Sequence, residues 1–181
     1  MNKKINYRLF IYVLSLLVVV SANSLFAQYV KVAKVGDSAP EFSSTDFKGK
    51  KFTFKKGKDN KVRLFWFTNL CSGCQSVILD MEKIKNMYEK KGVEIVLVSQ
   101  LGTDKATVEK ILKEKKLSLR FLYDPKGEVT SKYSGMYTPG TCPMKSLYLI
   151  DKHGTIRLAT HFPGVPAHDL QNAIERTLAS K

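Results

Sequence analysis

The sequence is short of acid: 16 Asp and Glu stand against 30 Lys and Arg, a formal charge of +14. It is also short of cysteine and histidine, with three of each in 181 residues. Three cysteines are too few for a disulfide-built mini-protein. Eleven glycines and six prolines are too few for a collagen-like fibre. Neither a repeat nor a low-complexity tract is present. A hydrophobic fraction of 44% beside 25% charged residues excludes a disordered chain. There is one long apolar run, which excludes a multi-span membrane protein. What remains is a globular chain with the length of one domain.

The apolar run opens the chain. Lys3, Lys4 and Arg8 form a basic start without acid, and Leu9 to Val20 is apolar apart from Tyr12 and Ser15. Small and polar residues follow, from Ser21 and Ala22 to Ala27. This is the layout of a secretory signal peptide over residues 1–27, cut after Ala27, with Ala22 as a second site. If uncleaved, the segment is an inner-membrane anchor, although its core is short of the roughly 20 residues a span needs. Either reading places the folded part outside the cytoplasm, in the periplasm or extracytoplasmic envelope. Residues 28–35 are a lead segment, and 36–181 form the domain. Without residues 1–27 the chain keeps 27 basic and 16 acidic side chains. The lysines are scattered among acids, so they read as a solvated surface; export speaks against nucleic acid as a partner.

Phe42 to Phe54 alternates around Lys48-Gly49-Lys50 and predicts a β-hairpin. Val62 to Phe67 is apolar apart from Arg63, as in a strand buried on both faces. Val77, Met81, Ile84 and Tyr88 recur at helical spacing, with Lys90, Lys91 and Gly92 as a stop signal. Val93–Val98 reads as a strand, Asp104 as the cap of a helix to about Lys116, and Leu117–Tyr123 as a third strand. Val129–Tyr133 is a short helix. Leu147–Ile150 and Thr155–Ala159 form a hairpin through Asp151–Gly154, and a last helix spans about Ala167–Leu178. Alternating strands and helices predict an α/β fold with a parallel core.

The chemistry concentrates in Phe65-Trp66-Phe67-Thr68-Asn69-Leu70-Cys71-Ser72-Gly73-Cys74, between a strand end and a helix start. Free N–H groups and the positive end of the helix dipole stabilise a thiolate there and lower its pKa. A C-x-x-C pair at such a turn closes a small ring, with the first sulfur exposed and the second buried to resolve a mixed disulfide. Besides two inert core thiols, which an oxidising compartment disfavours, two other readings of the pair stay open. It is a structural disulfide, though so short a loop restrains the unfolded chain little. Or it is half of a metal site completed by Cys142 and His153 or His161, for which a second C-x-x-C is absent.

Residues from about 36 to 178 resemble the exported thioredoxin-like redoxins, a family that includes thiol–disulfide oxidoreductases and relatives of alkyl hydroperoxide reductase and thiol-specific antioxidant proteins. The strings that carry the resemblance are Val35-Gly36-Asp37-Ser38-Ala39-Pro40-Glu41-Phe42, Phe65-Trp66-Phe67 with the Cys71–Cys74 pair, and Leu149-Ile150-Asp151-Lys152-His153-Gly154-Thr155-Ile156. The resemblance implies a thioredoxin fold, a central mixed sheet flanked by helices, with an N-terminal β-hairpin extension. It implies Cys71 as the attacking thiol and Cys74 as the resolving one, with Trp66, Thr68, Cys142 and Pro143 in support. Protein disulfides or thiols would be the substrates and a redox protein the partner, with no cofactor and no bound metal. The chain departs from the family at Leu70, where Trp is usual, and at Gly73, where Pro is usual. Leu64 and Val77 stand where relatives carry a buried acid, so Asp80 and Glu82 are the nearest carboxylates. The family's cis-proline spacing falls on Lys145; Pro139 and Pro143 are the candidates, and Pro143, directly after Cys142, is the favoured one.

Two other functions fit parts of the pattern. Thr68 three residues before Cys71 is the Thr-x-x-Cys spacing of peroxide reductases, although Leu64 replaces their Pro and Lys145 stands near their Arg. A copper carrier would use the cysteines with His161, since thiolates suit copper(I). Cys142 itself reads either as a small buried residue or as a third thiol facing the pair.

Overall fold

The computed structural model describes residues 32–100, 102–135, 138–139 and 141–180. The expected signal segment, and the lead segment before residue 32, lie outside the described residues.

Seven strands form one sheet: β1 (Phe42–Asp46), β2 (Lys51–Phe54), β3 (Val62–Thr68), β4 (Val93–Ser99), β5 (Arg120–Tyr123), β6 (Leu147–Ile150) and β7 (Ile156–Thr160). The spatial order is β2-β1-β5-β4-β3-β6-β7. β3, β4 and β5 run parallel, as the helical crossovers require. β6 pairs antiparallel with β3 and β7 with β6, while β1 joins β5 antiparallel and carries β2 as its hairpin partner. The helices are α1 (Ser72–Tyr88), α2 (Lys105–Glu114), α3 (Glu128–Ser134) and α4 (Ala167–Ala179).

The two-residue period of a strand explains how β3 serves both faces. All seven of its residues are buried. Val62, Leu64 and Trp66 pack under α1, α2 and α4, together with Ile78, Met81, Val108 and Ile174. Phe65 and Phe67 face the other way, into a cluster with Phe42, Phe52, Phe54, Tyr133 and Tyr148. Phe65 alone makes edge-on ring contacts with Phe42, Phe52, Phe54 and Tyr133. Arg63, the one charge in the run, is buried but paired with Asp59 and with Glu94, and its guanidinium lies over the Phe54 ring. A buried charge persists only when its donors are used in this way.

The third strand is shorter than its apolar run. Lys116 takes a positive φ, Leu117 N–H returns to the Leu112 carbonyl, and Ser118 N–H goes to the Glu82 carboxylate. With Leu117 turned back onto α2 and Ser118 tied to Glu82 on α1, pairing starts only at Arg120. In the lead segment, Ala33 is buried and its N–H donates to the Tyr133 carbonyl. No helix among the described residues is long and apolar enough to cross a membrane.

Candidate active site

β3 ends at Thr68, and three residues turn the chain into α1. Asn69 Oδ1 accepts the Cys71 N–H at 3.0 Å, and Thr68 Oγ1 accepts the Leu70 N–H at 3.0 Å. Leu70 has φ +53°, a left-handed conformation that a non-glycine residue holds at a cost of about 1–3 kcal/mol. Its buried side chain, its N–H bond to Thr68 and a 2.8 Å bond from Gln75 Nε2 to its carbonyl offset that cost. The turn leaves Cys71 at the N-cap of α1, where its carbonyl accepts the Gln75 N–H.

The pair therefore straddles the helix start. Cys71 is exposed, Cys74 is 2% exposed, and their sulfurs lie 3.4 Å apart as free thiols. Partial burial pushes the Cys71 pKa up. The Cys74 N–H, the Cys74 and Cys142 thiols and the Gly73 N–H outweigh it and hold Cys71 below its ordinary 9.0. Burial drives Cys74 the other way, up to about 12, opposed by a hydrogen bond from Thr68 and reinforced by Cys71. Two adjacent thiols with such different environments give an exposed sulfur that ionises first and a protected one that keeps its proton.

The third cysteine joins them. The Cys71, Cys74 and Cys142 sulfurs all lie within 4.8 Å of one another. Cys142 is exposed rather than a buried small residue, and its sulfur lies 3.9 Å from Asn69 Oδ1. The loop that carries it is held by His161, whose Nδ1 is 3.2 Å from the Pro143 carbonyl and 3.4 Å from Ser146 Oγ. Neither His161 nor His153 belongs to the sulfur group.

Several expected features lie elsewhere. The bond into Pro143 is not cis; the cis peptide among the described residues is Phe162–Pro163. Thr68, spaced as if to serve Cys71, instead bonds Cys74. Trp66 is fully buried, edge-on to Phe162 with centroids 4.9 Å apart, and its Nε1 has no hydrogen-bond partner. It packs in the core cluster that holds Cys74, as its place in the apolar β3 run predicts. Asp80 pairs with Lys83 and Glu82 with Ser118, so neither acid approaches the thiols. The left-handed Leu70 and the anchoring His161 escape a sequence reading, because neither has a local signature.

This arrangement defines an oxidoreductase of the thioredoxin fold with a dithiol at a helix start. Residues 35–159 match the AhpC/TSA family, and the chain belongs to that family. Among the similar proteins, thiol-disulfide oxidoreductase ResA of Bacillus thuringiensis subsp. konkukian is 32% identical over 123 residues, covering 68% of this chain and 67% of that one. ResA of Geobacillus kaustophilus is 29% identical over 134 residues, 74% of this chain and 72% of that one. A putative thiol:disulfide interchange protein DsbE from Chlorobium tepidum shares the fold, with a TM-score of 0.66 at 23% identity, over 82% of this chain and 100% of that one.

Proposed function

We propose that the protein is an exported thiol–disulfide oxidoreductase that reduces or exchanges disulfides in protein substrates through Cys71 and Cys74. The observation that carries this reading is the 3.4 Å pair itself, with an exposed low-pKa sulfur at the helix N-cap and a buried high-pKa sulfur one turn in. The Cys71 thiolate attacks one sulfur of a substrate disulfide. A Cys71–substrate disulfide forms and the other substrate sulfur leaves as thiolate. Cys74 then loses its proton and attacks Cys71 Sγ, which closes the Cys71–Cys74 disulfide and releases the second substrate thiolate. Two electrons pass to the substrate, and a partner dithiol returns them. With the potentials reversed, the same steps oxidise a substrate.

The peroxide-reductase reading is weaker, because the Thr68 hydroxyl serves Cys74 and the groups that hold Cys71 among the described residues are Cys74, Cys142 and Gly73 rather than a cation. Residues 1–27 would direct the chain across the inner membrane, either cleaved after Ala27 or kept as an anchor, so that the domain works in the envelope. The relatives' printed names, thiol-disulfide oxidoreductase, favour the disulfide reading.

Replacing Cys74 by Ser tests the assignment. The C74S protein is expected to accumulate a dithiothreitol-sensitive mixed disulfide at Cys71 with a disulfide-containing substrate such as insulin, while the wild type turns over. Peroxide consumption without insulin reduction, or an adduct at Cys142 in place of Cys71, would overturn it.

A further inference from the structure

The three sulfurs make a second use of the same centre available. We propose that Cys71, Cys74 and Cys142 form a three-coordinate, all-thiolate site for copper(I). The Cys71 and Cys74 sulfurs are 3.4 Å apart, and all three lie within 4.8 Å of one another. Three sulfurs placed about 2.3 Å from one ion in a trigonal plane are separated by about 4.0 Å, which falls inside that limit. Closing the site needs side-chain adjustment and no rearrangement of the fold.

The donor set selects the ion. Soft thiolates alone favour copper(I), whereas carboxylate or carbonyl oxygen would favour harder cations. Zinc completes a structural site with four ligands. Among the described residues neither an acid nor a histidine stands in the group to supply a fourth. The ligands come from two separate segments, the β3–α1 turn and the α3–β6 loop, joined at Asn69 Oδ1, which accepts the Cys71 N–H at 3.0 Å and faces the Cys142 sulfur at 3.9 Å. His161 fixes the second segment through the Pro143 carbonyl. Cys71 is exposed and Cys142 lies at the surface, so an ion can be taken up and passed on without opening the core.

Binding displaces the thiol protons to solvent, and copper stays in the +1 state throughout. A loaded site has no free Cys71 thiolate, so copper and a substrate disulfide compete for one sulfur. This consequence depends on the exchange reading above; the site itself does not.

The reduced full-length protein, titrated anaerobically with copper(I) against a colorimetric copper(I) chelator, should bind one ion per chain with thiolate-to-metal absorption in the ultraviolet. Cys142→Ser, checked for folding by circular dichroism, should weaken binding at least tenfold, as should Cys71→Ser. Equal affinity in wild type and C142S would leave only a two-sulfur site and overturn the proposal, as would tighter binding of zinc in a parallel titration. Insulin reduction by copper-free wild type is measured separately. If it is absent while C142S still loses copper, the exchange reading falls and the metal site stands.

Discussion

Gly73 shows how one residue sets the chemistry at this helix start. A Cβ built on it meets nothing within 4 Å, and its φ is not in the left-handed region. Its N–H helps hold the Cys71 thiolate. Alanine keeps that donor and removes backbone freedom from the unfolded chain, so G73A should gain about 0.4–1 kcal/mol. Proline, the family's usual residue here, also fits a first helical turn but has no N–H. G73P should therefore raise the Cys71 pKa while G73A leaves it in place. The readout is the pH dependence of iodoacetamide labelling on the reduced protein. In the wild type, labelling of Cys71 should rise through a midpoint below 9.0. Cys142 follows at higher pH, because burial and the neighbouring Cys71 raise it, and Cys74 reacts only near 12. Cys71 is therefore the first of the three to be labelled as the pH rises. Coincident midpoints in wild type and G73P would mean that the Gly73 N–H does not hold the thiolate.

At the scale of elements, Asp124 links the sheet to α3, the helix that precedes the Cys142 loop. It is buried at the end of β5. Its Oδ2 accepts the Val129 and Thr130 N–H groups and the Thr130 hydroxyl, while its own N–H donates to Ser99 Oγ. These are the orphan donors of α3's first turn. An alanine leaves them buried without a partner, which costs about 1–3 kcal/mol for each group left unpaired. D124A should lower the unfolding free energy by at least about 1–3 kcal/mol, read as a lower denaturant midpoint at unchanged slope, and D124N, which keeps one acceptor oxygen, by less. An unchanged D124A midpoint would show that α3 is held by its apolar contacts, Val129 and Tyr133, alone. The elements themselves were readable in the sequence wherever burial leaves a period: the uniform run of β3, the alternation of the β1–β2 hairpin, the helical spacing of Met81, Ile84 and Tyr88. On α1 the pattern missed Ile78, which is fully buried while Val77 sits at the margin. The Cys71–Cys74 pair was readable because its partners are local. The approach of Cys142 was only an open alternative, since it depends on Asn69, 73 residues away, and on the course of an irregular loop. The cis bond at Phe162–Pro163 and the Thr68–Cys74 hydrogen bond were not legible for the same reason. A hydroxyl's direction follows the backbone turn at Leu70 rather than the residue count.

For the molecule as a whole, β3 and β4 make the two layers interdependent. β3 sends Leu64 and Trp66 to one side and Phe65 and Phe67 to the other, and β4 divides Ile95 and Leu97 from Val96 and Val98 in the same way. Neither layer keeps its floor if these strands separate, so the domain should unfold in one cooperative step. The aromatic residues offer a probe for each layer. Trp66, the single tryptophan, lies fully buried with α1 above it, and its emission reports that side. Tyr133 and Tyr148 pack 5.2 Å apart on the opposite side and contribute to near-ultraviolet circular dichroism. Urea unfolding of the reduced protein, followed by Trp66 emission, near-ultraviolet dichroism and far-ultraviolet dichroism, should give one midpoint by all three. An earlier midpoint for the Trp66 side would mean that the layer bearing Cys74 opens before the sheet does, and the dithiol would then sit on a separately melting unit.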